Sequence, residues 1–164
     1  GAKIKFKNIK KKNSEITGDI FVRNSLIKPI NASKAYYVTS TDEYPILFVL
    51  AALTKGVSTF RGIDDLANKE SNRIQEMQKI LKQINVKSIF KKGELKIFGK
   101  GKFISTKYKI SVPNLGDHRI CMAAFVLSSV TGIQAKIKNF ETVNTSSPSF
   151  LYIMKKLGAK FEKI

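Results

Sequence analysis

The sequence predicts an α/β domain built inside out, with buried helices, sheets outside them, and two tandem βα units. Three observations predict it. The runs Ile46 to Leu53 and Ile120 to Leu127 are apolar on all sides, so helices formed there must be surrounded by protein. Strand-like segments alternate apolar residues with Lys, so their sheets have one face in water. The order of elements also recurs: the candidate helix caps Asp42 and Asp117 lie 75 residues apart, and the helix-ending glycines Gly56 and Gly132 lie 76 apart. A period near 75 residues is too long for a solenoid, so it reads as a twofold repeat with units of about 1–84 and 85–164.

In the first unit, Gly1 to Lys7 alternates at the strand period, and Glu15 to Val22 and Leu26 to Ile30 read as further strands, with Gly18 and Pro29 marking a bend or an edge. Asp42 is a good N-cap and Pro45 is tolerated in the first helical turn, so a helix is predicted to about Thr54, ended by Gly56. Val57 to Arg61 is the next strand. Ile74, Met77, Ile80, Leu81 and Ile84 then fall at helical spacing, which makes Lys69-Glu70-Ser71-Asn72-Arg73 the first turns of an amphipathic helix.

The second unit follows suit. Val86 to Phe90, Glu94 to Phe98 and Lys107 to Val112 are predicted strands. Asp117 caps the apolar helix that ends at Gly132, Ile133 to Ile137 is a strand, and Pro148 to Leu157 is an amphipathic helix. Strand starts recur at Gly1-Ala2-Lys3, Asn85-Val86-Lys87 and Gly158-Ala159-Lys160. The first has no helix before it, so the chain is expected to begin within a repeat of a longer polypeptide.

Composition narrows the class. The 164 residues, 43% hydrophobic, suffice for a buried core. A net charge of +18 raises nucleic acid or an anionic surface as partners, but Lys is dispersed along the chain and only Arg23, Arg61, Arg73 and Arg119 are arginines. Arg is the preferred residue for bidentate phosphate and base contacts, so dispersed Lys reads as solvated surface. A single cysteine, Cys121, excludes an internal disulfide and fits a reducing, cytoplasmic compartment. The apolar runs fall far short of the roughly 20 residues that cross a bilayer. His118 and Cys121 alone make no metal cluster, and no glycine-rich phosphate loop follows a strand.

The charged residues gather at helix openings. Glu70 stands three residues and Lys69 four residues before Arg73, and a helix N-terminus itself favours anions. Read alone, this is either a phosphate or carboxylate site or an exposed ion pair. If the two units pack in register, Asp42, Lys69, Glu70, Arg73, His118 and Arg119 share one end of the domain and form an anion pocket with carboxylates able to move protons. Helix capping by Asp42 and Asp117 is compatible with that reading.

Asp42-Glu43-Tyr44-Pro45, Lys69-Glu70-Ser71-Asn72-Arg73-Ile74, Gly116-Asp117-His118-Arg119-Ile120 and the Ser146-Ser147-Pro148 turn together closely resemble the 5-enolpyruvylshikimate-3-phosphate synthase family, over essentially the whole chain. The resemblance implies the inside-out fold of enolpyruvyl transferases. It makes residues 1–164 a single substrate-binding domain, most of the C-terminal domain, truncated on its N-terminal side. It implies transfer of enolpyruvyl from phosphoenolpyruvate to shikimate-3-phosphate without metal or organic cofactor, and a missing N-terminal domain as partner. Without that domain the segment is expected to be inactive.

By resemblance Asp42 helps deprotonate the attacking hydroxyl, Lys69 bridges the substrates, and Glu70 protonates the phosphoenolpyruvate methylene. Arg73 and Arg119 hold that substrate's carboxylate and phosphate, with His118 beside them. Asp65 lies where some members direct Asn toward shikimate-3-phosphate, and Thr145 where some carry a phosphoenolpyruvate-contacting Lys. Asn72 and Ala67 replace the usual Asp and Arg, which puts the support of Lys69 and Arg73 in question. Two alternatives remain: the related transferase acting on UDP-N-acetylglucosamine, and a basic nucleic-acid-binding domain.

Overall fold

A computed structural model describes residues 1–101 and 107–162 of the chain. Strands β1 (Lys3–Lys12) and β2 (Glu15–Arg23) form a hairpin. There follow β3 (Asn31–Ala32), α1 (Lys34–Ser40), α2 (Tyr44–Ala52), β4 (Gly56–Arg61), α3 (Arg73–Gln83), β5 (Lys87–Lys91) and β6 (Glu94–Gly99). The chain continues with β7 (Lys109–Val112), α4 (His118–Thr131), β8 (Gln134–Ile137) and α5 (Phe150–Lys156). Short 3₁₀ turns at Thr41–Glu43, Asp64–Asn68 and Phe140–Thr145 link them. Leaving out α1, the order hairpin, strand, helix, strand, helix occurs twice.

The central sheet has the order β3-β4-β6-β5, with β3 parallel to β4 and the β5–β6 hairpin antiparallel beside it. Its strands alternate as expected: Phe60, Leu95 and Ile97 point into the core while Lys96 faces water. Helix α2 is the most enclosed element. Tyr44, Phe48, Val49, Ala51 and Ala52 are sealed, and Tyr44, Phe48 and Phe60 pack edge to face with ring centroids 5.0–5.9 Å apart. Such buried rings supply most of the local hydrophobic stabilisation. Helix α4 lies against α2 and is capped by Asp117 and by Gly132, whose φ of 71° suits glycine. The apolar helices α2 and α4 therefore sit inside, with the sheets outside them.

Several expectations give way. Leu26 to Ile30 forms no strand: Ile30 bonds β4 only through its own amide and carbonyl, to Ser58 Oγ and Thr59 N, and regular pairing begins at Asn31. The β1–β2 hairpin is exposed on both faces rather than one, because it pairs only with itself. Asp42 does not cap a helix. It lies in a 3₁₀ turn, and Glu43 precedes α2 without a side-chain bond. Gly56 opens β4 rather than closing α2. Lys69 to Asn72 are not helical: α3 starts at Arg73, and Asn72 caps it by accepting from Gln75 N at 3.0 Å. The segment from Lys107 pairs only from Lys109, and no strand starts at Gly158 among the described residues. Helix α1 lacked a sequence signal because Tyr37 alone of its residues is buried.

Candidate functional site

The three charged helix openings meet around one arginine. Arg73 leaves the start of α3 with its side chain 1% exposed and spends each end of its guanidinium on a different carboxylate. Nε donates to Asp117 Oδ2 at 3.0 Å, Nη1 to Asp42 Oδ1 at 3.0 Å and Nη2 to Glu70 Oε2 at 2.6 Å. Burial opposes its charge, but the hydrogen bonds and charges of Asp117, Asp42 and Glu70 outweigh that and raise its pKa further.

Asp117 is sealed and fully satisfied. Its Oδ1 accepts from the backbone of Arg119 at 2.9 Å and Ile120 at 3.3 Å, which is the α4 cap, and its Oδ2 accepts from Ser71 Oγ at 2.9 Å besides Arg73. One carboxylate thus ties the opening of α4 to that of α3. Asp42 joins the third opening: Oδ2 lies 3.2 Å from Arg119 Nη2, while Arg119 Nη1 reaches Glu43 Oε1 at 3.3 Å. The hydrogen bond from Arg73, working against partial burial and helped by Arg119 and Lys69, holds the Asp42 carboxyl below its ordinary range. Arg119 Nε is buried without a partner among the described residues.

Lys69 does not lie beside Arg73 as helical spacing predicted, because its backbone is extended. Its Nζ pairs with Asp65 Oδ2 at 3.0 Å, and the same oxygen accepts from Tyr37 OH at 2.9 Å. Lys69 and then Tyr37 depress the Asp65 carboxyl, whereas burial, then Asp65, push the Tyr37 phenol up to about 12. His118 opens α4 half-buried and has no hydrogen-bond partner among the described residues. Thr145 ends the last 3₁₀ turn and donates to Thr142 O at 2.8 Å, and Thr142 Oγ1 reaches Gly116 O at 3.2 Å. Thr145 makes no hydrogen bond to the arginine cluster among the described residues.

Asp42, Glu70, Arg73 and Arg119 are therefore one connected network. Lys69 and Asp65 form its neighbour, and His118 and Thr145 stand outside the bonds. Carboxylates outnumber cations here: Lys69, Arg73 and Arg119 face Asp42, Glu43, Asp65, Glu70 and Asp117. An anion entering at the guanidinium ends of Arg73 or Arg119 competes with the carboxylates already bonded there. The acids best placed to yield are Asp42 and Glu70, with side chains 54% and 47% exposed. The Asn72 side chain caps α3 and makes no hydrogen bond to Lys69 or Arg73 among the described residues. The sequence placed Ser71, Glu43 and Asp117 within charged motifs without assigning them to the site, and it carried no signal for Tyr37. The paired use of one aspartate by a helix start and a distant arginine leaves no spacing signature.

Buried helices, outer sheets and acids interleaved with cations at the helix openings define an enolpyruvyl transferase fold. The solved enolpyruvyl transferase NikO of Streptomyces tendae shares that fold with a TM-score of 0.55 at 14% identity, over 96% of this chain and 33% of its own. The chain belongs to the EPSP synthase family: the family model for EPSP synthase (3-phosphoshikimate 1-carboxyvinyltransferase) matches residues 3–154. The 3-phosphoshikimate 1-carboxyvinyltransferase of Zymomonas mobilis is 35% identical over 99% of this chain and 36% of its own length. That of Paramagnetospirillum magneticum is 32% identical over 98% and 35%. The EPSP synthase structure from Acinetobacter baumannii superposes with a TM-score of 0.82 at 30% identity, covering 98% of this chain and 37% of that one. The chain thus spans about 36% of the curated relatives it matches. No helix among the described residues is long and apolar enough to cross a membrane.

Proposed function

We propose that this chain supplies the C-terminal half of the active site in an enzyme that moves enolpyruvyl from phosphoenolpyruvate to the 5-hydroxyl of shikimate-3-phosphate. The observation that carries the reading is the Asp42 carboxylate held between Arg73 and Arg119 while Glu70 rests on the same Arg73. Acids and cations meet there in a family whose relatives are named for this reaction.

In the proposed cycle the substrate anions take Arg119 and the outer edge of Arg73, releasing Glu70 and Asp42. Glu70, entering the step as the carboxylic acid, protonates the methylene carbon of phosphoenolpyruvate as the hydroxyl oxygen bonds its neighbouring carbon, and Asp42 accepts the hydroxyl proton and passes it on to the phosphate as that group leaves. Glu70 then takes a proton back from the new methyl group. The carbon–oxygen bond to phosphate breaks with its electron pair on the phosphate, whose developing charge the arginines and Lys69 offset. Asp65 and Tyr37 orient Lys69 between the substrates, while a substrate-binding role for His118 and Thr145 rests on the family resemblance alone. A cytoplasmic location with Cys121 reduced belongs to this reading; burial, then Asp117 and Glu141, push that thiol up to about 11.

The 164 residues alone are expected to release no phosphate at a rate near that of an intact enzyme, since a second domain supplies the remaining contacts. The test replaces the matching third of the Acinetobacter baumannii synthase with this chain and measures phosphate release from both substrates. Turnover that vanishes in Glu70→Gln supports the assignment. Full turnover by the isolated chain, or an unaffected Glu70→Gln hybrid, overturns it.

A further inference from the structure

The two arginines of the site are held in different ways. Arg73 is sealed and bonded at 2.6–3.0 Å to three acids from three places in the chain, so it is fixed. Arg119 is 27% exposed, and its bonds are longer, at 3.2–3.4 Å. Hydrogen bonds within ion pairs usually span about 2.7–2.9 Å, so Arg119 is the arginine that moves at lower cost.

Among the described residues every side-chain bond of Arg119 runs to Asp42 or Glu43, and its Nε has no partner. The two outer nitrogens divide these bonds. Nη1 donates to Asp42 O and to Glu43 Oε1, which uses both of its hydrogens. Nη2 donates to Asp42 Oδ2 and has a second hydrogen to give.

Glu43 and Asp42 differ in the same sense. Glu43 stands directly before Tyr44 and Pro45, which are buried at the start of α2, so its main chain is pinned. A polar residue at that position ordinarily bonds the helix amides; Glu43 makes no such bond and reaches across 76 residues of chain to Arg119 instead. Asp42 Oδ1 belongs to Arg73, so its carboxylate keeps a cation when Oδ2 lets Arg119 go.

We infer that Glu43 is a positioning residue for Arg119: with the Asp42 carbonyl it retains Nη1 while Nη2 passes from the Asp42 carboxylate to an anionic group of phosphoenolpyruvate. The inference rests on the proposed reaction and adds to it how Asp42 is freed as a base without losing Arg119 from the site. The guanidinium pivots about a held nitrogen, so less side-chain freedom is lost on binding. Glu43 also carries a charge that opposes the incoming anion, an effect of opposite sign. Glu43→Gln removes the charge and keeps an acceptor, whereas Glu43→Ala removes both.

The chain has four arginines, so Arg119→Lys assigns the Arg119 side-chain signals in proton–nitrogen NMR of the isolated chain. Separate Nη1 and Nη2 signals, which report slowed rotation of the guanidinium, are expected in the unaltered chain and in Glu43→Gln and should merge in Glu43→Ala. In the hybrid synthase Glu43→Ala is expected to raise the KM for phosphoenolpyruvate about tenfold while kcat changes less than about threefold, and Glu43→Gln to recover most of that loss. Arg119 signals unmoved by Glu43→Ala overturn the inference whatever the hybrid does. A KM that stays the same or falls, which would make Glu43 a competitor of the anion, overturns it, as does a Gln variant as impaired as the Ala variant. A hybrid without turnover before any change at Glu43 instead sinks the proposed reaction, and the isolated chain still decides the anchor.

Discussion

Arg73 and Asp117 form an ion pair closed to water, with Nε and Oδ2 3.0 Å apart and side chains 1% and 0% exposed. Two ions taken from water repay their desolvation only when every remaining donor and acceptor is used. Ser71, the α4 amides, Asp42 and Glu70 do that here. Breaking such a pair leaves an uncompensated charge. Asp117→Ala is therefore expected to destabilise the fold by about 3–5 kcal/mol, and urea denaturation measures it. A loss below about 1 kcal/mol would mean that water reaches Arg73.

Glu70 shares Arg73 from the open side, half-exposed, so its contribution to stability is small. Glu70→Gln is expected to leave the urea midpoint of the chain nearly unchanged while lowering turnover of the hybrid enzyme by about 10²- to 10⁴-fold. Parallel loss of stability and turnover would recast Glu70 as structural.

Tyr37 links Asp65 and the core, and its folded pKa of about 12 stands above the ordinary 10. The folded state thus holds a phenolic proton that the unfolded chain releases. The associated stability is present below pH 10 and is lost as pH rises through 12. Absorbance titration of the folded chain should show Tyr37, together with the buried Tyr44, ionising after the exposed tyrosines, and Tyr37→Phe should lessen the alkaline fall in melting temperature. A Tyr37→Phe chain with the same alkaline slope would remove this group from the pH response.

Asn72 accepts from Gln75 N at the start of α3 and bonds neither Lys69 nor Arg73. Asn72→Ala should cost about 1 kcal/mol, whereas Asn72→Asp should be neutral or slightly stabilising, because a carboxylate also caps and meets the positive end of the helix. Thermal melts of the two variants decide it. An Asp variant that instead strongly perturbs the hybrid enzyme's substrate KM would give this position a role in the site.

Much of the architecture is legible in the residues themselves. The all-round apolar runs led to α2 and α4, the Lys alternation to β5 and β6, and Asp117 and Gly132 to the ends of α4. Where local signals misled, tertiary contacts had overridden them. Asp42 has the chemistry of a cap, but Arg73 and Arg119 offer it charged partners, and it turns to them. Lys69 sits at helical spacing from Arg73, yet Asn72 stops the helix short and Asp65 takes the ammonium.

By itself the sequence determined that α2 and α4 are buried and which charged residues stand near the starts of α2, α3 and α4. Those properties follow from the period of apolar residues and the local chemistry of caps. Only the tertiary structure decided that Arg73 is the buried hub and that carboxylates outnumber cations around it. It also decided that the first hairpin is bare on both faces. Each of these depends on which distant segments meet, and a charge's partner, unlike its helix, is set by packing across many residues of chain.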